Sequence, residues 1–125
     1  TLSTHPIGLL QQAGLLGHIT SAKDLPDKAH NSVVRVAGLV QGRQSPGTAS
    51  GVTFITLEDD TGNINVIVWR ATARAQKQAY LKSSILKVTG IIEKGDGGVI
   101  HIIAGKLEDL SHQFQQLKIK SRDFH

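Results

Sequence analysis

The alternation of apolar and polar residues begins at residue 32 and predicts a chain made mostly of β-strands. Before that point glycines interrupt the apolar residues, so any helix there would be short and weak. After it, β-branched residues alternate with polar ones in short runs separated by Gly, Pro, Asn and Asp, which is typical of strands joined by turns. Five such runs predict five strands: Val33–Val40, Val52–Glu58, Ile64–Trp69, Ser84–Glu93 and Val99–Leu107.

The segments that join these runs differ in kind. Gly42–Gly51 contains three glycines and one proline and predicts a loop, whereas Asp59–Asn63 predicts a tight hairpin turn. Arg70–Leu81 has a helical pattern that its alanines favour. The predicted order of elements is therefore β-β-β-α-β-β.

Glycines recur at matching places in two of the predicted strands. Gly38 in the first strand and Gly90 in the fourth each lie between bulky aliphatic residues. A glycine in mid-strand marks a bend or a close approach of two backbones, and bent strands are what closure of a small barrel requires. With the strand order, this predicts an all-β, five-stranded Greek-key barrel of the OB-fold type, with one helix between strands three and four. An open five-stranded sheet is the alternative.

The predicted barrel spans residues 32–110 and leaves a segment at each end. Residues 1–31 are interpreted as a partly helical lead-in arm, and residues 111–125 as a polar, frayed C-terminal tail. The first residues lack both an initiator Met and the cationic segment of a signal peptide. No apolar run approaches the roughly 18 residues that cross a bilayer. We therefore expect a cytoplasmic-type domain cut from a longer chain, with no membrane partner.

Composition and charge narrow the possible functions. The chain has no Cys, which excludes a disulfide framework, a Cys-based zinc site and a thiol nucleophile. Its 14 Lys and Arg against 10 Asp and Glu give a net charge of +4, which suits an anionic partner. Between Arg70 and Lys94 there are six cations and one acid, Glu93. Arg74 and Lys77 within this stretch could equally lie on a solvated helix face.

Residues suited to catalysis are few. The adjacent carboxylates Glu58–Asp60 could indicate a metal site, but the chemistry of a hairpin turn explains them better. The six His have no metal-ligand spacing, and no Gly-x-Ser-x-Gly motif is present. We expect no catalytic site, no metal and no cofactor in this chain.

Binding residues follow from the predicted barrel, because the ligand face of an OB-fold centres on strands two and three and the loops beside them. Residues Ile64, Val66 and Val68 would point inward, so the alternate residues of strand three share the outer face. Amides and cations on such a surface can contact base edges and phosphates. The candidate nucleic-acid-binding residues are Arg35, Arg43, Gln44, Thr48, Asn63, Asn65, Trp69 and Lys87.

Several of these residues also have a purely structural interpretation. Asn63 could belong to the hairpin turn, and Asn65 could be an ordinary solvated residue. For Trp69, the only Trp, packing beneath the following helix is favoured over stacking on a base. Phe54 is expected in the core, and Lys87 is expected to point outward.

Two stretches resemble a known family. Val34–Val40 running into Arg43–Gly51, followed by Phe54–Asp59, resembles the C-terminal region of bacterial C-family DNA polymerases. Within that family it is similar to the error-prone polymerase, a paralogue of the replicative alpha subunit used in damage-induced mutagenesis. His5-Pro6 and Ser121–His125 resemble the same subfamily, so the resemblance covers nearly the whole chain.

The resemblance implies a parent DNA polymerase whose acidic, metal-binding catalytic centre lies upstream of this segment. It also implies that the polymerase is located in the bacterial cytoplasm, in association with the nucleoid. It implies that this OB module contacts single-stranded template DNA, with the first loop and strands two and three facing it. The alternative is a docking module for accessory mutasome proteins or the sliding clamp. Gln116–Ile119 partly matches the short peptide that docks on sliding clamps, with Lys120 in place of its terminal aromatic residue.

Overall fold

The computed structural model describes residues 5–45 and 51–122, with side chains described through residue 119. The strands are β1 (Val33–Gln44), β2 (Val52–Glu58), β3 (Asn63–Trp69), β4 (Ile85–Lys94) and β5 (Ile100–Asp109). The helices are α1 (Pro6–Gln12), α2 (Arg70–Ala75), α3 (Lys77–Lys82) and α4 (Ser111–Arg122), with 3-10 turns at Ala22–Asp27 and Asp96–Gly98.

The five strands close into a barrel in the order β1–β2–β3–β5–β4, and β4 pairs back onto β1. Strands β3 and β5 pair in parallel, whereas the other neighbours pair antiparallel. This closed barrel, with its helical segment between β3 and β4, confirms the predicted OB-fold. None of the helices in the described part of the chain has the length and apolar character needed to cross a membrane.

Strand β1 is longer than its sequence pattern predicts. Its last residues pair with β2, with Gly42 opposite Thr56 and Gln44 opposite Phe54. The prediction that a loop begins at Gly42 is therefore wrong, because the open edge of β2 supplies hydrogen-bond partners that a local pattern does not show. The rest of the predicted loop, residues 46–50, lies outside the described residues.

The two mid-strand glycines lie where backbones approach most closely. At Gly38, β1 leaves β4 and joins β2, since the next residue, Leu39, pairs with both strands. A Cβ on Gly38 would lie 2.8 Å from the Cβ of Leu57, and a Cβ on Gly90 would lie 2.2 Å from the carbonyl oxygen of Ile103. The predicted role of these glycines in closing the barrel agrees with these distances.

The helical segment predicted over Arg70–Leu81 is present, and it is interrupted at Gln76, where the chain leaves helical geometry. The side chain of Gln76 accepts a hydrogen bond from the backbone N–H of Leu107 at 2.7 Å and donates one to the carbonyl of Gly105 at 3.0 Å. Both partners belong to β5. The break thus fastens α2 and α3 to the barrel, a tertiary contact that local helix propensity does not reveal.

The arm and the C-terminal segment meet in a second hydrophobic cluster outside the barrel. Residues 111–122 of the predicted frayed tail form α4 instead, and Phe114 and Leu117 of this helix pack against the cluster. The partial clamp-peptide match Gln116–Ile119 is therefore helical, with Leu117 packed against the cluster and Ile119 exposed. Residues 123–125 lie outside the described residues. The predicted boundaries at residues 31 and 110 mark changes in sequence pattern. The cluster contains residues from both sides of each boundary. The buried members of the cluster are Ile7, Leu10, Leu16, Ala37, Ile85 and Leu110.

Asp59 joins the arm to the turn between β2 and β3. The residue is only 4% exposed. One carboxylate oxygen accepts hydrogen bonds from the backbone N–H groups of Thr61 and Gly62 and from the Thr61 hydroxyl, at 2.7–2.9 Å. The other accepts from the backbone N–H of Ala22 at 2.7 Å. The turn chemistry predicted for this carboxylate is present, and it also holds the 3-10 turn of the arm.

Candidate nucleic-acid interface

The outer surface of β2 and β3 carries three of the eight predicted binding residues, Asn63, Asn65 and Trp69. Alternation along β3 buries Ile64, Val66 and Val68, as predicted, and turns the other residues outward. The cross-strand pairs Thr56–Asn65 and Phe54–Ile67 lie side by side on this surface. We call it the β2–β3 face and define it by Phe54, Thr56, Asn63, Asn65, Ile67 and Trp69.

Trp69 lies at the end of the β2–β3 face and is 50% exposed. The expectation that it packs beneath the helix is wrong. Tyr80, which is buried, fills that space together with Ala73 and Ala79. Trp69 instead precedes α2 as its N-cap residue, in extended conformation, with its indole on the outer side of the sheet.

The two asparagines are exposed on the same face. Asn63 is the first residue of β3 and pairs with Glu58, so it belongs to the strand rather than to the turn. Asn65 pairs with Thr56 near the middle of the hairpin. Their amides can therefore reach a ligand laid across the strands.

Phe54 belongs to this face rather than to the core. It is half-buried, whereas its neighbours Thr53 and Ile55 point inward and are buried. The expectation that Phe54 is a core residue is therefore wrong. The alternation of β2 was the signal that could have placed it outward, because residues two apart share a face.

Arg43 occupies a structural position next to this face. Its Nε donates to the carbonyl of Tyr80 at 2.6 Å, and its Nη2 donates to the carbonyl of Ser83. These carbonyls lie at the C-terminal end of α3, where helix carbonyls lack partners within the helix. Arg43 thus ties the end of β1 to α3. Gln44 beside it is exposed, opposite Phe54, and Thr48 lies outside the described residues.

Replacing Arg43 by alanine should destabilise the fold. Hydrogen bonds to a charged group contribute about 1.5–3 kcal/mol, so we expect a loss of about 2 kcal/mol in the free energy of unfolding by urea titration. Arg43→Lys should recover only part of it, because one ammonium cannot reproduce the two-pronged guanidinium geometry. Gln44→Ala, at the adjacent exposed position, is the control and should change little. Equal stability of Arg43→Ala and Gln44→Ala would contradict this role.

Lys87 and Arg35 lie on the other side of the barrel and differ in accessibility. The Lys87 side chain is only 18% exposed, because its Nζ donates to the carbonyl of Leu16 at 2.9 Å and lies 3.9 Å from Glu108. Lys87 points away from the barrel interior, as predicted, since its neighbours Leu86 and Val88 are buried, but the arm covers its outer side. Arg35 is exposed.

Residues 34–110 match the family model of the OB-fold nucleic acid binding domain. The chain belongs to this family. The match begins in β1 and ends just after β5, so it covers the whole barrel. Within the described residues, this OB-fold domain has no group of three or more His, Asp or Glu side chains that could hold a metal ion.

The OB-fold domain is also similar to part of longer proteins. It is 66% identical over 125 residues to the error-prone DNA polymerase of Vibrio campbellii and 49% identical over 125 residues to that of Alkalilimnicola ehrlichii. Each comparison covers 100% of this chain and 12% of the relative. The predicted resemblance to error-prone polymerases is confirmed, and the chain spans about an eighth of the length of these relatives.

Solved structures with low sequence identity share the fold. An asparaginyl-tRNA synthetase from Pyrococcus horikoshii superposes with a TM-score of 0.58 at 20% identity, over 73% of this chain and 22% of that chain. An aspartyl-tRNA synthetase from Entamoeba histolytica gives a TM-score of 0.59 at 15% identity, over 72% of this chain and 20% of that chain. At these identities the similarity shows the fold alone.

Proposed function

We propose that this OB-fold domain binds single-stranded DNA on the β2–β3 face and handles the template for an error-prone DNA polymerase. The observation that carries the proposal is the position of Trp69. Its half-exposed indole lies on the same outer surface as Asn65 and Phe54. Family membership and similarity to error-prone polymerases support the class of ligand.

The chemistry of this face suits bases that are not paired. An exposed indole offers a surface on which a base stacks, and the amides of Asn63 and Asn65 can donate to and accept from base edges. In a duplex the bases are stacked on each other and their faces are covered. We therefore expect a preference for single-stranded over double-stranded DNA.

The other candidate residues have different places in the proposal. Gln44 extends the face at the end of β1, and Arg35 is an exposed cation on the first half of β1. Thr48 stays a prediction, since it lies outside the described residues. Arg43 would act by positioning α3, and Lys87 is left out of the contact set because the arm covers it.

Removing the Trp69 indole is expected to weaken binding strongly. Stacking of a base on an aromatic residue is worth about 1–3 kcal/mol, so Trp69→Ala should weaken binding to oligo-dT by roughly 5- to 150-fold. Fluorescence anisotropy of a labelled strand measures this, and Trp69→Phe should retain part of the affinity. In the unmodified domain, oligo-dT should quench the emission of Trp69, the only Trp.

A duplex of the same length and label is the control for strand preference. Because Trp69 is half exposed, Trp69→Ala should keep the thermal transition of the unmodified domain, which separates lost binding from lost folding. Unchanged affinity in Trp69→Ala, with no quenching on saturation, would contradict the proposed face.

For the parent polymerase, the proposal is that this domain holds single-stranded, damaged template near a catalytic centre on another part of the chain, during translesion synthesis and DNA repair. A protein-docking role, with accessory mutasome proteins or the sliding clamp as partner, is the competing outcome. Failure of the domain to bind single-stranded DNA at low salt would reject our proposal in favour of docking.

A further inference from the structure

A groove of about 340 Å³ lies between α2, α3 and the adjoining ends of β1 and β2. Its polar rim is cationic, with Arg70 and Arg74 on α2 and Lys77 on α3. Its apolar surface comes from Ala73, Tyr80 and Leu81. We call it the α2–α3 groove. It is distinct from the β2–β3 face, although Trp69, at the end of that face, immediately precedes Arg70 in the chain.

The charge of the groove is not neutralised locally. The sequence from Arg70 to Lys82 contains four cations and no acid. In the described part of the chain, the ion pairs are those of Glu58 and Glu108, and neither involves a cation of the groove. The neighbouring residues 46–50 are uncharged in the sequence. Three exposed cations in one concave surface attract an anion with repeated charges rather than a single carboxylate.

The walls of the groove are held by the contacts that attach α2 and α3 to the barrel. Arg43 fixes α3 through the carbonyls of Tyr80 and Ser83. Gln76 fixes the junction of α2 and α3 to β5, and the backbone N–H of Arg70 donates to the carbonyl of Gly51 at 2.7 Å. The helices that carry the cations are therefore tied to three strands or their ends, which keeps the cations over one groove.

We propose that the α2–α3 groove binds the phosphodiester backbone of the DNA strand where it leaves the β2–β3 face at Trp69. The cations contact phosphates, and the exposed Leu81 and the Ala73 surface accept the sugar side of the strand. The inference deepens the proposed function and rests on it. A strand bound in this way would contact the β2–β3 face and then the α2–α3 groove, a surface longer than one face of the barrel. Such binding also explains why the cations of α2 and α3 carry no acidic partners.

Oligonucleotide length separates the two surfaces. Because one OB-fold contacts about 4–16 nucleotides, we compare oligo-dT of about 5 and about 20 nucleotides by anisotropy at several salt concentrations. The double variant Arg74→Gln/Lys77→Gln should bind the long strand roughly ten-fold more weakly. The slope of log affinity against log salt should fall by about 1.4, since each phosphate contact on a single strand contributes about 0.7. Affinity for the short strand should be unchanged.

A matched control variant has the same net charge as the groove variant. Lys28→Gln/Lys118→Gln removes two cations that lie in the arm and in α4, and it should leave both the affinity and the salt slope of the long strand near those of the unmodified domain. If this control lowers the slope as much as the groove variant does, the effect is one of overall charge and the inference is overturned.

The remaining outcomes distinguish the inference from the proposed function. If Trp69→Ala weakens binding but the groove variant binds the long strand normally, the strand does not enter the groove and only the inference fails. If neither variant changes binding, both fail. A third outcome is that the unmodified domain binds the long duplex as tightly as the long single strand and that the groove variant binds neither. The groove would then be a general phosphate-binding surface, and the proposed path would also be overturned.

Discussion

Replacing Gly90 by alanine should lower the free energy of unfolding by about 3 kcal/mol or more, because the new methyl group has no space. A Cβ at this position would lie 2.2 Å from the carbonyl oxygen of Ile103 and 2.9 Å from its carbonyl carbon. Both are backbone atoms of β5, so relief requires β4 and β5 to separate. Because Gly90 lies at a register shift between these strands, opposite Ala104, separation weakens the ladder on both sides of it.

The measurement is urea or thermal unfolding followed by circular dichroism. For a domain of this size, a loss of about 3 kcal/mol corresponds to a melting temperature lower by roughly 10 °C. Gly105→Ala is a control on the same β4–β5 ladder, because its Cβ would lie 3.5 Å from the carbonyl oxygen of Thr89, an ordinary contact. Gly38→Ala should fall between the two, because its new Cβ would lie 2.8 Å from the Cβ of Leu57 and 3.0 Å from the backbone N and O of Glu58, which is less close than the 2.2 Å contact at Gly90. A Gly90→Ala variant as stable as Gly105→Ala would show that the strands are not closed as tightly as described.

The change Asp59→Asn is expected to release the arm while keeping the hairpin turn. The amide oxygen can retain the three hydrogen bonds from Thr61 and Gly62, but the amide nitrogen then faces the backbone N–H of Ala22. Two donors cannot pair. The lost bond and the unsatisfied N–H should cost about 1–3 kcal/mol, localised in the 3-10 turn of the arm.

Amide hydrogen exchange resolves this prediction residue by residue. The N–H of Ala22 should exchange faster in Asp59→Asn, whereas those of Thr61 and Gly62 should stay protected. Asp59→Ala should lose protection at all three positions and be less stable than Asp59→Asn. Asp60→Asn is the matched control, because Asp60 is exposed and the arm contacts its neighbour instead. Protection of Ala22 that survives in Asp59→Asn would contradict the proposed link between the arm and the turn.

Local pattern predicted the strands well and their ends less well. Alternation along β3 assigned each side chain to its correct side, because residues two apart in a strand share a face. The end of β1 was missed, since Gly42 and Arg43 look like loop residues until β2 provides their hydrogen-bond partners. The interruption of the predicted helix was missed for a related reason. Gln76 has adequate helix propensity, but its side chain bonds to two backbone groups of β5.

The candidate site was predictable in part. Asn63 and Asn65 followed from alternation, and they are exposed where expected. Predicting which cations can contact a ligand was harder. A charged residue at an outward position of a strand is accessible only if no other segment packs over it. Arg43 and Lys87 both donate to carbonyls distant in sequence, and neither interaction has a signature in the neighbouring residues.

The sequence by itself determined the order of the strands along the chain, the helical segment after β3 and the glycine positions that barrel closure requires. These depend on period-two alternation and on glycines at two bends, which are local properties of the chain. Only the tertiary structure decided which cations are accessible and which segments pack together. Lys87 is covered by the carbonyl of Leu16, 71 positions away, and α1 meets α4 from the opposite end of the chain. Contacts of that range depend on the packed arrangement of many residues, so no local pattern contains them.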